Sequence, residues 1–301
     1  MNYFYNCYDL AIESEMALSE MVASPDRPKT VDARITQSAV NPDGLEGAEQ
    51  IGPFMWATPT DLQLHVPDVA RFLVSNGNSI VFDPAPGIDE DSVRVFMLGS
   101  ALGALLFQRG YLVLHGNAVQ IGDGCIICVG QSGAGKSTLA AAFMQRGYKL
   151  LADDVVPIDD NCLAIPGFPR IKLWQDAADK LEIDTSALTK IRPDMEKFNL
   201  PITDNFVSKP LPVKHIYILR SDDDENGFSS TPIKGLQKFP ALHANTYRQK
   251  FLDSMDLRPD HLNLCGKLAG QTPITRVVRP RLGFEVDQLV DHILADLSES
   301  I

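Results

Sequence analysis

Short apolar runs separated by Pro and Gly mark the first third of the chain. Between Gly52 and Phe82, Leu62-Gln63-Leu64-His65-Val66 and Ser79-Ile80-Val81-Phe82 are bounded by turn residues and predict strands. Residues 1 to about 50 read as polar and irregular, with Ser24-Pro25-Asp26-Arg27-Pro28 and Asn41-Pro42-Asp43-Gly44 as turn signals. No function is legible there. A helix is expected to start near Asp89, where Asp89, Glu90 and Asp91 suit the positive end of its dipole, and to end at Arg109-Gly110. Its apolar stretch, Val93 to Phe107, is shorter than the ~20 residues that span a bilayer. A buried helix is the reading.

The clearest rhythm follows. Strands are predicted at Tyr111 to His115 and Ala118 to Ile121, then an Asp-Gly turn at Gly122-Asp123-Gly124, then a strand from Cys125 to Val129. A loop and a helix, about Lys136 to Arg146, close at Gly147, and Tyr148 to Val156 returns as a strand: a strand, loop, helix, strand unit. Val213 to Leu219 reads as another strand and Asp222-Asp223-Asp224-Glu225 as a solvated turn. Val286, Leu289, Val290, Ile293, Leu294 and Leu297 recur at helical spacing and predict an amphipathic C-terminal helix. The expected organisation is α/β: a small, mostly β N-terminal domain at 1–88, a linking helix at 89–110 and a phosphate-loop domain at 111–301.

The loop carries the chemistry. Gly130-Gln131-Ser132-Gly133-Ala134-Gly135-Lys136-Ser137, followed by Thr138, fits the Walker A pattern G-x-x-x-x-G-K-[ST]. Its glycines let backbone N–H groups converge on phosphate oxygens, and the next helix points its positive end at the same anion. Lys136 can reach the terminal phosphates of ATP, and Ser137 offers a hard oxygen to Mg2+. Asp153-Asp154 follows by one helix length plus a turn, so its strand is expected beside the loop strand. Two adjacent carboxylates near phosphates repel unless a cation intervenes. One can support the metal while the other accepts a hydroxyl proton during phosphoryl transfer. His115, in Leu114-His115-Gly116-Asn117, reads by itself as a structural histidine at a strand end. Arg170, Lys172, Lys197 and Arg248 are candidate cations for a transferring phosphoryl group, Arg248 first among them.

Charge narrows the partners. With 39 acidic against 27 basic residues, net −12, nothing electrostatic calls for nucleic acid or an anionic membrane. The N-terminus lacks the basic and continuous apolar segments of a secretory signal, so a cytoplasmic protein is expected. Five cysteines do not form a disulfide scaffold, and Cys125 and Cys128 face opposite sides of a predicted strand. Core packing, not metal or redox chemistry, is expected of them.

Leu114-His115-Gly116, the loop from Gly130 to Thr138, and Arg146-Gly147-Tyr148-Lys149-Leu150-Leu151-Ala152-Asp153-Asp154 together resemble the catalytic domain of HPr kinase/phosphorylase. That family phosphorylates a protein serine with ATP and has a fold related to phosphoenolpyruvate carboxykinase. The resemblance implies Asp154 as proton acceptor for the substrate serine, His115 as its catalytic neighbour, Asp153 and Ser137 on the metal side, and Lys136 on the phosphates. Thr138 stands where the family usually has Glu, and Ile165-Pro166-Gly167-Phe168-Pro169-Arg170-Ile171-Lys172-Leu173-Trp174 replaces its Glu-containing motif, so phosphorylase activity is not implied. Gly52-Pro53-Phe54, Leu98-Gly99-Ser100-Ala101-Leu102-Gly103-Ala104-Leu105, Gln108-Arg109-Gly110, Leu173-Trp174 and Glu196-Lys197-Phe198 extend the similarity to HPr kinase-like proteins of lasso-peptide biosynthesis. A serine on a precursor peptide is the acceptor this implies. Homo-oligomerisation is compatible with it.

Two other readings stay open. A small-molecule kinase of the shikimate or gluconate type also carries an acidic strand one helix after the loop, and would favour an arginine-rich lid; Arg276, Arg279 and Arg281 form the one dense arginine cluster. A non-catalytic nucleotide switch would bind ATP without transferring phosphate.

Overall fold

The computed structural model describes residues 2–222, 227–281 and 286–299. Alternation of buried and exposed positions builds a nine-stranded sheet from residues 3–84, with Ala33–Gln37 parallel to both its neighbours, Leu10–Ser14 and Ser79–Pro84. This corrects the irregular reading of residues 1–50: strands run at Tyr3–Cys7, Leu10–Ser14, Val22–Ala23, Ala33–Gln37 and Glu49–Gln50. The first hairpin turns on Tyr8-Asp9, both left-handed at φ +55° and +59°. A two-residue turn of that kind normally advertises itself with Asn-Gly or Asp-Gly, and here no glycine marks it.

Asp89 caps the following helix by accepting from the Ser92 N–H at 2.7 Å. The helix runs Glu90–Phe96, widens to a π-helical turn at Met97–Ala101, and continues as Leu102–Gln108. It is buried nearly all round after Phe96, as its unbroken apolar sequence requires. One apolar cluster joins it to the nine-stranded sheet and to Val113, Val155, Phe168 and Tyr247 beyond it.

The second sheet has seven strands, in the order Gly124–Gly130, Leu112–Ile121, Leu150–Ile158, Leu163–Ala164, Leu211–Asp222, Ile274–Pro280, Ser229–Ile233, and Leu211–Asp222 also pairs with Gly124–Gly130. Both faces are covered, so the strands are near-continuous apolar runs. Cys125 and Ile127 enter one core, whereas Ile126 and Cys128 pack under the helix Lys136–Gln145 and the C-terminal helix Val286–Glu299. Leu112–Ile121 is one ten-residue strand where two short ones were expected; Gly116-Asn117 does not break it, because each is paired on both sides. Gly116 is needed there: a Cβ would lie 2.5 Å from the Cys128 carbonyl oxygen.

The strand bearing Asp153 and Asp154 is not adjacent to the loop strand. Leu112–Ile121 lies between them, antiparallel to each, so the crossover helix steps over one strand. The Asp-Gly hairpin takes that edge of the loop strand first, and Leu211–Asp222 occupies the other as a parallel partner. Of the acidic run, Asp222 ends a strand and residues 223–225 lie outside the described residues. A small third sheet, Arg170–Trp174, Lys197–Pro201 and Thr189–Lys190, covers the site. Among the described residues no helix is long and apolar enough to cross a membrane.

Candidate active site

The loop after Gly124–Gly130 turns through left-handed Gly133 and Gly135, at φ +82° and +90°, a conformation that any Cβ would strain. The helix then begins at Lys136. Its ammonium is held within the loop, donating to the carbonyls of Gly130 at 2.8 Å and Gln131 at 3.0 Å, and burial lowers its pKa against the raising pull of Asp154 and Asp153. Asn117 donates to the Lys136 main-chain carbonyl at 2.6 Å and ties the neighbouring strand to the helix start.

Asp153 and Asp154 are the two half-buried positions in an otherwise buried strand, Leu150–Ile158. Alternation alone would point them to opposite faces. Asp154 has a φ of +74°, unusual for a non-glycine residue, and both carboxylates line the same cleft of about 280 Å³ together with Ser132, Lys136, Ser137 and Thr138. Asp153 accepts from the Ser137 hydroxyl at 3.1 Å and from the Lys172 backbone N–H at 3.0 Å. Asp154 accepts from the Lys172 ammonium at 2.8 Å. The His115 Nδ1 lies 3.0 Å from the Asp154 main-chain oxygen and 3.3 Å from its carboxylate, so a proton on Nδ1 is donated to Asp154.

The pair is electrostatically split. Burial and the neighbouring Asp154 raise the Asp153 carboxyl, against the N–H of Lys172 and the Ser137 hydroxyl. Burial also raises Asp154, but the ammonium groups of Lys172 and Lys197 outweigh it and hold that carboxyl well below the usual carboxylate range. Burial and Lys136 lower the His115 pKa, so the ring is neutral at pH 7 and Lys172 supplies the cation that matters. Lys172 is itself lowered by burial, opposed by Asp154.

Among the described residues no group of three or more His, Cys, Asp and Glu could hold a metal by itself. The Ser137 hydroxyl and Asp153 carboxylate are adjacent hard oxygens beside the phosphate loop. They fit Mg2+, an ion that keeps several waters and takes other ligands from phosphates.

The predicted residues His115, Lys136, Ser137, Asp153 and Asp154 therefore line one cleft, with Lys172 and Lys197 of the candidate cations. Arg248 does not touch the carboxylates; it lies over the rings of Tyr247 and Phe251, at 5.6 and 5.9 Å. Of the candidate cations, Lys172 is the one paired with Asp154. The alternation in Arg170-Ile171-Lys172-Leu173-Trp174 was the available signal, putting Arg170 and Lys172 on one face. Arg170 is buried, donating to Asn199 at 2.6 Å and lying over Phe168 at 4.7 Å. Arg279, weighed earlier only as part of a lid, donates to the Ala134 carbonyl of the loop at 3.2 Å. A second cleft of about 280 Å³ flanks the loop on the side of Leu219, Asn245 and Arg281.

Fold and site define a mixed α/β protein whose core is built around a loop of Walker A pattern with a paired-carboxylate strand. Within that core, residues 110–165 match the family described as HPr Serine kinase C-terminal domain. The match supports a kinase-type function. No curated protein matches the chain. Among solved structures, the Hpr(Ser) kinase/phosphatase from Coxiella burnetii is similar over 62% of this chain and 95% of its own, at 13% identity and a TM-score of 0.32.

Proposed function

We propose that the chain is an ATP-dependent serine kinase that transfers the γ-phosphate to a hydroxyl of a peptide or protein, with a lasso-peptide precursor as the candidate acceptor. The observation that carries this reading is Asp154, held by Lys172 and next to His115, in the same cleft as Lys136 and Ser137. The acceptor assignment is supported by the resemblance of the flanking motifs alone.

In this reading the loop amides and Lys136 hold the phosphates, and Ser137 and Asp153 hold Mg2+, which when bound neutralises phosphate charge. Asp154 orients the acceptor hydroxyl and takes its proton as the new O–P bond forms and the bond from phosphorus to the β,γ-bridging oxygen breaks, releasing ADP. Because Lys172 depresses the Asp154 pKa, that carboxylate is a weak base and the proton moves late, in keeping with a loose transition state. Neutral His115 donates to the Asp154 main chain and fixes the strained residue. Phosphorylase activity is not part of the proposal.

The test is mass spectrometry of candidate precursor peptides incubated with ATP and Mg2+. A gain of about 80 Da per phosphate, mapped to serine and reduced at least ~100-fold in Asp154→Asn and Lys136→Ala, is the expected result. ATP binding without transfer to any peptide or protein acceptor would overturn it in favour of a nucleotide switch or a small-molecule kinase.

A further inference from the structure

The wall formed by His115, Asp154, Lys172 and Lys197 has two sides. One faces the cleft of the phosphate loop; the other faces a separate cleft of about 450 Å³ that contains no residue of that loop. In-line displacement needs the nucleophile to approach phosphorus from the side opposite the leaving group. A group that is to reach Asp154 while ATP fills the first cleft has the second as its approach.

The second cleft is apolar along its walls and cationic at its rim. Val95, Phe96 and Gly99 of the helix and its π-turn form one side; Ile191, Met195 and Tyr247 complete it. Gly99 leaves room for Tyr247: a Cβ there would lie 3.1 Å from the Tyr247 hydroxyl. Arg192 pairs with Asp194 at 3.1 Å. Lys197 and Arg248 have no carboxylate within ion-pair distance among the described residues, and Arg248 is exposed.

We propose that this cleft binds the acceptor as an extended peptide segment whose phosphorylated residue lies next to an apolar side chain and within reach of an acidic one. The apolar side chain packs on Phe96, Ile191 and Met195, and the acidic one is drawn to Arg248 and Lys197. The proposal rests on the kinase reading above and goes beyond it in naming the residues that choose the acceptor. Phosphate-rich or sugar-like acceptors do not match so apolar a wall.

A panel of synthetic serine peptides tests this, carrying Leu or Gly beside the serine and Asp or Lys two residues away, with kcat/KM measured at saturating MgATP. The wild-type protein is expected to favour the Leu- and Asp-bearing peptide at least tenfold over the Lys version. Arg248→Glu is expected to reverse that charge preference, and Met195→Asp to raise KM for the Leu peptide, with ATP affinity measured on each preparation as the control for folding. Phosphorylation without a charge preference, or with one that Arg248→Glu leaves in place, overturns the acceptor cleft while the kinase reading stands. No phosphorylation of any peptide by wild-type protein that binds ATP overturns the kinase reading itself, and the cleft with it.

Discussion

Asp153 and Asp154 are neighbours with opposite fates, and the difference is measurable. A carboxyl whose folded pKa is raised adds stability while protonated, below its unfolded pKa, and loses it as pH rises through the folded value. Asp153 is such a group, so keeping a carboxyl there costs the fold at pH 7 relative to a neutral side chain. Asp153→Asn is expected to raise Tm at pH 7, with ~1 kcal/mol corresponding to about 2–4 °C, while kinase turnover falls at least ~100-fold. The Tm advantage shrinks as pH falls through the folded pKa of Asp153, since the wild-type group is then neutral too; thermal denaturation at pH 7 and pH 4 checks the sign. Asp154 is lowered and behaves in the reverse sense, favouring the fold above pH 4. Lys172→Met removes its nearest cation, leaving a half-buried carboxylate uncompensated. Turnover is expected to fall about 10–100-fold and the pH optimum to shift upward as Asp154 titrates higher, read from a pH–rate profile.

The π-helical turn and the segment Asn245–Arg248 work as one element. Asn245 accepts from the His115 N–H at 2.8 Å, and Tyr247 donates its N–H to Val113 at 2.9 Å, so this segment completes the part of Leu112–Ile121 that the hairpin leaves unpaired. The Tyr247 ring then packs against Gly99 and Gly103; a Cβ on Gly103 would meet it at 2.8 Å. Gly103→Val should destabilise by about 1–3 kcal/mol through overpacking and lower turnover by displacing Tyr247 from His115, whose ring centroid is 5.7 Å away. Urea denaturation and kcat on the same variant check both. The continuous apolar stretch and the acidic start at Asp89-Glu90-Asp91 gave this helix away in the sequence. The π-turn and the Tyr247 contact were invisible, because they depend on a residue nearly 150 positions further along the chain. The first two strands escape the sequence for a related reason: the turn between them, Tyr8-Asp9, adopts left-handed backbone without the glycine that would announce it.

At the scale of the molecule, ligand binding and folding are linked. A nucleotide that binds only the folded chain stabilises it by about 2.7 kcal/mol at a hundredfold excess over Kd. MgATP is expected to raise Tm by several degrees, and Lys136→Ala to abolish the shift; differential scanning fluorimetry reads it. The sequence by itself determined the phosphate loop, the helix behind it and the mixed α/β class, because those follow from local steric and periodic rules that act within about thirty residues. It also marked His115 and the Asp153-Asp154 pair as candidates. Only the tertiary structure decided that a strand intervenes between loop and carboxylates, that a left-handed Asp154 brings both carboxylates to one cleft, and that Lys172 pairs with Asp154. Those outcomes depend on which strand edges are already taken and on which cation can be buried at low cost beside an anion, and such competition is settled across the whole sheet, not within a window of sequence.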